Sequence, residues 1–146
     1  MDNMNEEQIY RQKLDGIHYP IVQQISQRIT DSAIQWKQLP QKVPMQQCLV
    51  DDTLIGLLKP LVQMYFRISI VKMASTRAKI RLAYAGDIIP LSSCPGCSIY
   101  NGEEEINLVS GEILHLPQKG LVLKMNGECD LYLLWLVKTK EDIKVL

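Results

Sequence analysis

Two cysteines separated by two residues, Cys94 and Cys97, form the clearest reactive motif of the sequence. Thiolates at this spacing can both bind one zinc ion, whose structural sites take four sulfur or nitrogen ligands. A second pair of that kind is missing, so Cys129 or His115 would have to complete the site through the fold. We therefore expect no cofactor, with a zinc ion held by Cys94 and Cys97 as the alternative.

The same two cysteines could form a redox-active pair. Such a pair usually has its first cysteine at the amino-terminus of a helix, where the pKa of the thiol is lowered. The residues after Cys97, Ser98–Gly102, do not have a helical pattern. We expect instead a tight turn at Pro95-Gly96, in which the cysteines pack as small apolar groups.

The other polar side chains offer weaker chemistry. Glu103–Glu105 follow a turn, but consecutive strand residues point to alternate faces, so we expect a solvated sheet edge. His115 alternates in phase with Ile113, which predicts a partly buried structural histidine. No nucleophile elbow, phosphate-binding glycine loop or His-Glu-x-x-His motif occurs. We predict that the chain is not an enzyme; an enzyme or ligand-binding roll would need a polar pocket around His115 and Glu112.

The composition is that of a globular protein without strong electrostatic steering. Of 146 residues, 47% are apolar and 22% are charged, and the formal net charge is +0 at a sequence pI of about 6.7. A nucleic-acid binder would carry a clear basic excess, so we predict no nucleic-acid partner. Eleven of the twelve glutamines precede residue 76, and this neutral polar surface favours protein partners, in a homo- or hetero-oligomer.

The amino-terminus, Met1–Glu7, is polar and acidic and lacks the features of a signal peptide. The four cysteines are therefore expected to be reduced, in a cytoplasmic protein or in a particle assembled inside the cell. The most apolar long segment, Thr53–Ala74, contains Lys59, Arg67 and Lys72, whose charges are costly in hydrocarbon. We predict no membrane span.

The amino-terminal part is predicted to be helical. Glu6–Leu14 fits a short helix, and Pro20 suits the first position of a second helix that ends near Leu39. Its apolar stripe has spacings of three and four residues, which predicts one buried face. Either this face packs on its own domain, or it pairs with a partner through a stripe close to coiled-coil spacing; the candidate interaction residues are Val22, Ile25, Ile29 and Trp36.

The middle of the chain is harder to interpret. Gln38–Val50 has two prolines and no periodicity, and we expect an extended linker. Asp51 and Asp52 can cap a short helix at Thr53–Lys59. Leu61–Met73 could continue as a helix, but the alternation in Phe66–Ile70 favours a strand.

The carboxy-terminal part consists of short strands with frequent turns. Asn126-Gly127 is a hairpin signal between two apolar runs, because both residues tolerate φ > 0. The second run, Leu131–Val137, is apolar on both faces, which predicts a central strand. Its expected core residues on one face are Leu131, Leu133, Trp135 and Val137.

These patterns predict an α+β fold: short amino-terminal helices followed by an all-β sandwich of about seven or eight strands, jelly-roll-like or immunoglobulin-like. Residues 1–50 would form a helical arm with a proline-containing linker, and residues 51–146 the sandwich, with a boundary anywhere within 51–75. Gly111–Pro117 resembles a segment of cupin-type rolls, but the metal-binding histidines of that family are missing, so no family is assigned.

The functional prediction follows from the missing catalytic motifs and the amino-terminal arm. We expect a non-catalytic structural or assembly protein, a subunit of a larger particle such as a virion head, tail or fibre, which docks through the arm and the sandwich surfaces. The alternative is a small zinc-stabilised protein-binding module that uses Cys94 and Cys97.

Overall fold

The computed structural model describes residues 9–39, 45–75, 77–82 and 85–138, which contain eleven strands and two helices. The helices are α1 (His18–Arg28) and α2 (Asp52–Val62). The strands are β1 (Tyr10–Lys13), β2 (Gln35–Gln38), β3 (Met45–Leu49), β4 (Arg67–Met73), β5 (Arg77–Arg81), β6 (Gly86–Pro90), β7 (Ser98–Tyr100), β8 (Glu105–Asn107), β9 (Glu112–Leu116), β10 (Val122–Asn126) and β11 (Leu131–Val137).

The strands form two antiparallel sheets. The larger sheet has the order β1-β9-β6-β11-β4-β3-β2, and the smaller has the order β5-β10-β7-β8. Strand β11 lies in the middle of the larger sheet, where Leu134 pairs with Ile70 of β4 on one side and with Ile89 of β6 on the other. The predicted central strand is therefore central in the structure.

The larger sheet separates two hydrophobic cores. On one face it packs against the smaller sheet, and Leu131, Leu133, Trp135 and Val137 of β11 are buried in this sandwich core. On the other face it is covered by α1 and α2, and the alternate residues Leu134 and Leu136 are buried there. Because side chains alternate along a strand, β11 contributes to both cores.

At the start of each helix, an aspartate side chain accepts hydrogen bonds from backbone N–H groups. Asp51 precedes α2 in an extended conformation, and its side chain accepts a hydrogen bond from the backbone N–H of Leu54. The Nε atom of Arg28, at the end of α1, donates to Asp51 Oδ2 at 3.0 Å and links the two helices. At the start of α1, the Asp15 carboxylate accepts from the backbone N–H groups of Ile17 and His18. Both aspartates thus satisfy N–H groups that have no partner inside a helix.

The predicted helical arm is matched only in part. Tyr10–Lys13, expected in a helix, form β1 at the edge of the larger sheet, because pairing with β9 satisfies their backbone groups; the residues before Ile9 lie outside the described part. The second helix ends at Arg28 rather than near Leu39. A turn follows, in which the Asp31 side chain accepts from the N–H of Ala33.

Residues after that turn belong to the larger sheet. Trp36, expected on the helix, lies in β2, and the expected linker contains β3, which pairs with β4. Residues 40–44 of the linker lie outside the described part. Strand β1 pairs with β9 on the far side of the predicted boundary range 51–75, and residues 9–39 and 45–50 contribute three strands to the same sheet as β11.

The later strands follow the sequence pattern closely. The disputed segment Leu61–Met73 divides: α2 extends to Val62 with Pro60 inside it, and β4 begins at Arg67. From residue 51 onward the described residues contain eight strands, and β11 has the predicted bounds Leu131–Val137. The sandwich-like, mostly antiparallel β fold is therefore confirmed at this level.

Candidate functional site

A cleft of about 200 Å³ lies on the face of the larger sheet that the helices cover. Its walls are formed by the end of β1, the start of α1 and the end of α2, and its floor is formed by β6, β9 and β11. The apolar lining residues are Leu14, Leu61, Met64, Ile89, Ile113 and Leu136, and the polar ones are Gln12, Lys13, Asp15, His18, Tyr65 and His115.

A buried carboxylate lies beside this cleft. Asp87 on β6 is 1% exposed, and it pairs across the sheet with His115 of β9. Its Oδ1 atom is 2.7 Å from His115 Nδ1, and its Oδ2 atom accepts from the Tyr65 hydroxyl at 2.8 Å. The Lys138 ammonium lies 3.7 Å from Oδ2. A buried carboxylate requires such partners because it has lost its hydration.

This arrangement orients the imidazole of His115. With Asp87 accepting a hydrogen bond from Nδ1–H, the neutral ring has its lone pair on Nε2, which lies 3.2 Å from Gln12 Oε1 at the cleft. The amide group can present its NH₂ to that lone pair. The Tyr10 ring stacks on the imidazole with centroids 5.1 Å apart and fixes the ring plane. Nε2 can therefore accept a hydrogen bond, or donate one when the ring is protonated.

A second histidine of the cleft is held in the same way. His18 Nδ1 lies 2.9 Å and 3.0 Å from the two carboxylate oxygens of Asp15. The pKa of Asp15 is lowered, first by the backbone N–H of His18 and then by the bond to the His18 ring. Asp15 thus stays ionised and keeps Nδ1 of His18 occupied, so the lone pair of the neutral ring is again on Nε2.

Tyr65 acts only as a donor in this site. Burial raises the pKa of its hydroxyl, and the hydrogen bond to Asp87 and the charge of that carboxylate raise it further. The phenol therefore stays protonated and donates permanently to Asp87. This bond fixes the carboxylate from the side opposite to His115.

Sequence reasoning found only one of these residues. His115 was expected to be a partly buried structural histidine, and the polar pocket was expected around His115 and Glu112. Glu112 does not line this cleft. It forms an ion pair with Arg11, with 3.1 Å between Glu112 Oε1 and Arg11 Nε. Asp87 had a usable signal, because it is a charged residue at the start of the apolar run Ile88–Leu91.

The predicted metal ligands are only partly brought together. Cys94 Sγ lies 2.7 Å from Cys97 Sγ and 2.7 Å from Cys129 Sγ, whereas His115 is paired with Asp87 on the other side of the larger sheet. Among the residues that the structure describes, no group of three or more His, Cys, Asp or Glu side chains is arranged to hold a metal ion. Zinc binding by Cys94 and Cys97 stays a prediction.

The predicted interaction stripe lies inside the molecule. Val22, Ile25 and Ile29 are 3%, 0% and 4% exposed and pack in the core between the helices and the larger sheet. Trp36 is partly buried on β2, and its ring meets that of Tyr132 edge-on at 5.7 Å. The stripe was expected either to pack on its own domain or to pair with a partner, and in the structure Val22, Ile25 and Ile29 pack on their own domain. Protein partners stay a prediction.

Comparison with known proteins gives a likeness of fold. No family model matches the sequence, and no curated protein matches it either. Among solved structures, the chain is similar to the crystal structure of a Pseudomonas putida prolyl-4-hydroxylase, with 9% sequence identity and a TM-score of 0.53. The likeness covers 94% of this chain and 96% of that chain. At this identity it shows the fold alone.

The comparison overturns the functional prediction. A non-catalytic assembly protein of the virion type was expected, but the fold is shared with an enzyme, and the predicted docking stripe is buried. The prediction gave residues 1–50 to a separate arm and linker, whereas the described ones among them, 9–39 and 45–50, extend the larger sheet and form one wall of the cleft. In the described part of the chain no helix is long and apolar enough to cross a membrane.

Proposed function

We propose that the chain is a small-molecule-binding protein with a jelly-roll fold, and that it takes a small organic anion in the cleft beside His115. The jelly-roll alternative is supported by the strand order. The eight strands β4–β11 divide four and four between the sheets, as in a double-sheet roll. The observation that carries the functional proposal is the His115–Asp87 pair, which holds an imidazole rigidly at the wall of a half-apolar cleft.

The size and lining of the cleft define the ligand. A cavity of about 200 Å³ is smaller than the usual pocket for a drug-sized molecule, which begins near about 300 Å³. One side offers leucine, isoleucine and methionine side chains, and the rim offers hydrogen-bonding groups. We infer a ligand with a short apolar body and one polar head.

The charges of the rim favour a carboxylate head. Asp15 and Asp87 are both engaged with histidines, and Asp87 also lies near Lys138. Lys13 lines the cleft, and within the described ranges no carboxylate lies within ion-pair distance of it. An ammonium group, and the His115 imidazole when it is protonated and donates from Nε2, are suited to a bound anion.

A matched series of ligands tests this proposal. Hexanoate, hexanol and hexylamine share one alkyl body and differ only in the head group. We expect hexanoate to shift the ring signals of His115 in the NMR spectrum in a saturable way, and the other two to bind more weakly. Replacing His115 by Gln should weaken hexanoate binding about tenfold or more, because a hydrogen bond to a charged group is lost.

The lysine supplies the matched control. Lys13→Met should weaken hexanoate binding, whereas Lys37→Met, on β2 at the opposite edge of the sheet, should leave it unchanged. Preference for hexylamine, or equal affinity of the wild type and His115→Gln, would show that the cleft is not an anion site.

Acid–base catalysis is a second candidate, favoured by the presence of two carboxylate-held histidines on one cleft. One imidazole could take a proton while the other gives one, and each such transfer contributes about 10²–10⁴-fold in enzymes. Hydrolysis of 4-nitrophenyl hexanoate should then fall in both His18→Gln and His115→Gln. A rate that survives both substitutions contradicts catalysis here but leaves ligand binding intact.

A further inference from the structure

Three cysteine sulfurs converge on the sandwich side of the larger sheet, away from the cleft. Cys94 Sγ lies 2.7 Å from the sulfurs of both Cys97 and Cys129, and these cysteines are free. These sulfurs are in direct contact, with no other side chain between them. The fourth cysteine, Cys48, is buried in the other core and is not part of the cluster.

Two segments hold the cluster together. Cys94 and Cys97 belong to a turn closed by the bond from the Cys97 N–H to the Cys94 carbonyl at 3.1 Å. Cys129 lies in the turn between β10 and β11, and its thiol donates to the Ser93 carbonyl at 3.8 Å. The Asn126 side chain donates to the Pro95 carbonyl and joins the two turns a second time.

The three thiols differ in access. Cys94 and Cys97 are 3% and 0% exposed, whereas Cys129 is partly exposed. Burial raises the pKa of the Cys94 thiol, and hydrogen bonds with Cys129 and Cys97 raise it further. A reagent in solution therefore meets Cys129 first, and Cys94 is the neighbour that can reach it.

We propose that Cys129, Cys94 and Cys97 form a thiol–disulfide exchange site for low-molecular-weight disulfides such as oxidised glutathione. The Cys129 thiolate attacks the disulfide, forms a mixed disulfide and releases one glutathione thiolate. That thiolate takes the proton of Cys94, and the resulting Cys94 thiolate attacks Cys129 Sγ and releases the second glutathione as a thiolate, which takes the proton that Cys129 gave up. Two protein thiols are oxidised to one disulfide, and one glutathione disulfide is reduced to two thiols.

Cys97 gives the new disulfide a second partner. Its sulfur is as close to Cys94 as that of Cys129 is, so a Cys97 thiolate can attack Cys94 Sγ and release the Cys129 thiolate, which takes up the proton that Cys97 lost. The product is then a Cys94–Cys97 disulfide within one turn.

The experiment uses the full reduced chain and oxidised glutathione. After incubation, free thiols are alkylated, the chain is digested with trypsin, and the peptides are identified by mass spectrometry. Trypsin separates Cys129 from the peptide that contains both Cys94 and Cys97, because Lys119 and Lys124 lie between them. We expect a Cys94–Cys129 or Cys94–Cys97 disulfide, while Cys48 is alkylated as a free thiol.

Variants assign the order of the steps. Cys94→Ser should stop at the mixed disulfide of Cys129 with glutathione. Cys129→Ser should oxidise at least about tenfold more slowly, because the exposed thiol is gone. Cys48→Ser, the matched control at another buried cysteine, should behave as the wild type.

Four results would overturn the proposal, and two of them need no variant. The first is that all three cysteines of the wild type remain free thiols after treatment. The second is that the purified chain contains stoichiometric zinc, which protects the three thiols from oxidation. The others are a Cys97–Cys129 disulfide in Cys94→Ser and an unchanged oxidation rate in Cys129→Ser.

Discussion

At the scale of single residues, the cleft depends on Asp87. This carboxylate is buried, and it accepts hydrogen bonds from an imidazole on one strand and from a phenol after α2. Each of those groups would lose a hydrogen bond without it. The position of His115 at the cleft is therefore set by a residue that contributes nothing to the cleft lining itself.

Replacing Asp87 by Asn should test this dependence. Asn has the same shape, but one acceptor becomes a donor and the charge is lost, so His115 and Tyr65 lose their charge-assisted bonds. We expect a destabilisation of about 1–3 kcal/mol in urea unfolding. Asp31→Asn is the control, since this exposed side chain accepts from a backbone N–H that an amide oxygen can also serve. Equal stability of the two variants would contradict the role of Asp87.

The residue scale is also where the sequence is least informative. His115 and Asp87 are 28 positions apart, and Tyr65 is 22 positions before Asp87. No local spacing relates them, because cross-strand register brings them together. The cysteine cluster was partly predictable, since Cys94 and Cys97 share a turn, but the proximity of Cys129 follows from the pairing of distant strands.

At the scale of elements, apolar periodicity predicted strands better than helices. The bounds of β9 and β11 follow directly from short apolar runs between turn residues. The amino-terminal errors have one physical origin. Pairing with β9 gives Tyr10–Lys13 their hydrogen-bond partners, and pairing with β4 and β2 gives Met45–Leu49 theirs; no local sequence pattern records either. Helix α1 was found, but its end at Arg28 depends on a turn made by Asp31.

Helix α2 should depend on pH through its cap. The pKa of Asp51 is lowered, first by the N–H of Leu54 and then by Arg28. A carboxylate whose folded pKa is lowered stabilises the fold above its ordinary pKa of 3.8, and this contribution is lost as the pH falls through the folded value. Asp51→Ala should therefore melt a few degrees lower than the wild type at neutral pH, and the difference should shrink in acid.

A second variant separates the cap from the ion pair. Asp51→Asn keeps an oxygen acceptor for Leu54 and loses the charge opposite Arg28. Its thermal midpoint should fall between those of the wild type and Asp51→Ala. If the difference between Asp51→Ala and the wild type stays constant down to strongly acid pH, the lowered pKa of Asp51 is not a source of stability.

At the scale of the whole molecule, one sheet joins two cores. The sandwich core and the core under the helices have β4, β6, β9 and β11 in common. The cleft belongs to the second core and the thiol cluster to the first. The sequence predicted the sandwich core because its strands are local and regular. It did not predict the second core, because β1 and β3 had been assigned to an arm.

Trp135→Ala should show that the two cores unfold together. Trp135 is 3% exposed on β11, and its truncation should cost about 3–5 kcal/mol. The transition in urea, followed by circular dichroism, should stay single and move to lower urea. Trp36→Ala on the edge strand β2 is the matched control and should cost less, because Trp36 is only partly buried. A wild-type midpoint for Trp135→Ala would mean that β11 does not hold the sheet together.

The central place of β11 bears on how the chain acquires its fold during synthesis. This strand is the last of the described strands along the chain, yet it separates β6 from β4 in the larger sheet. Until Leu131–Val137 have been made, β9-β6 on one side and β4-β3 on the other lack the strand that joins them. The edges of β4 and β6 that pair with β11 have no partner until that strand is added, and unpaired strand edges favour association with other chains.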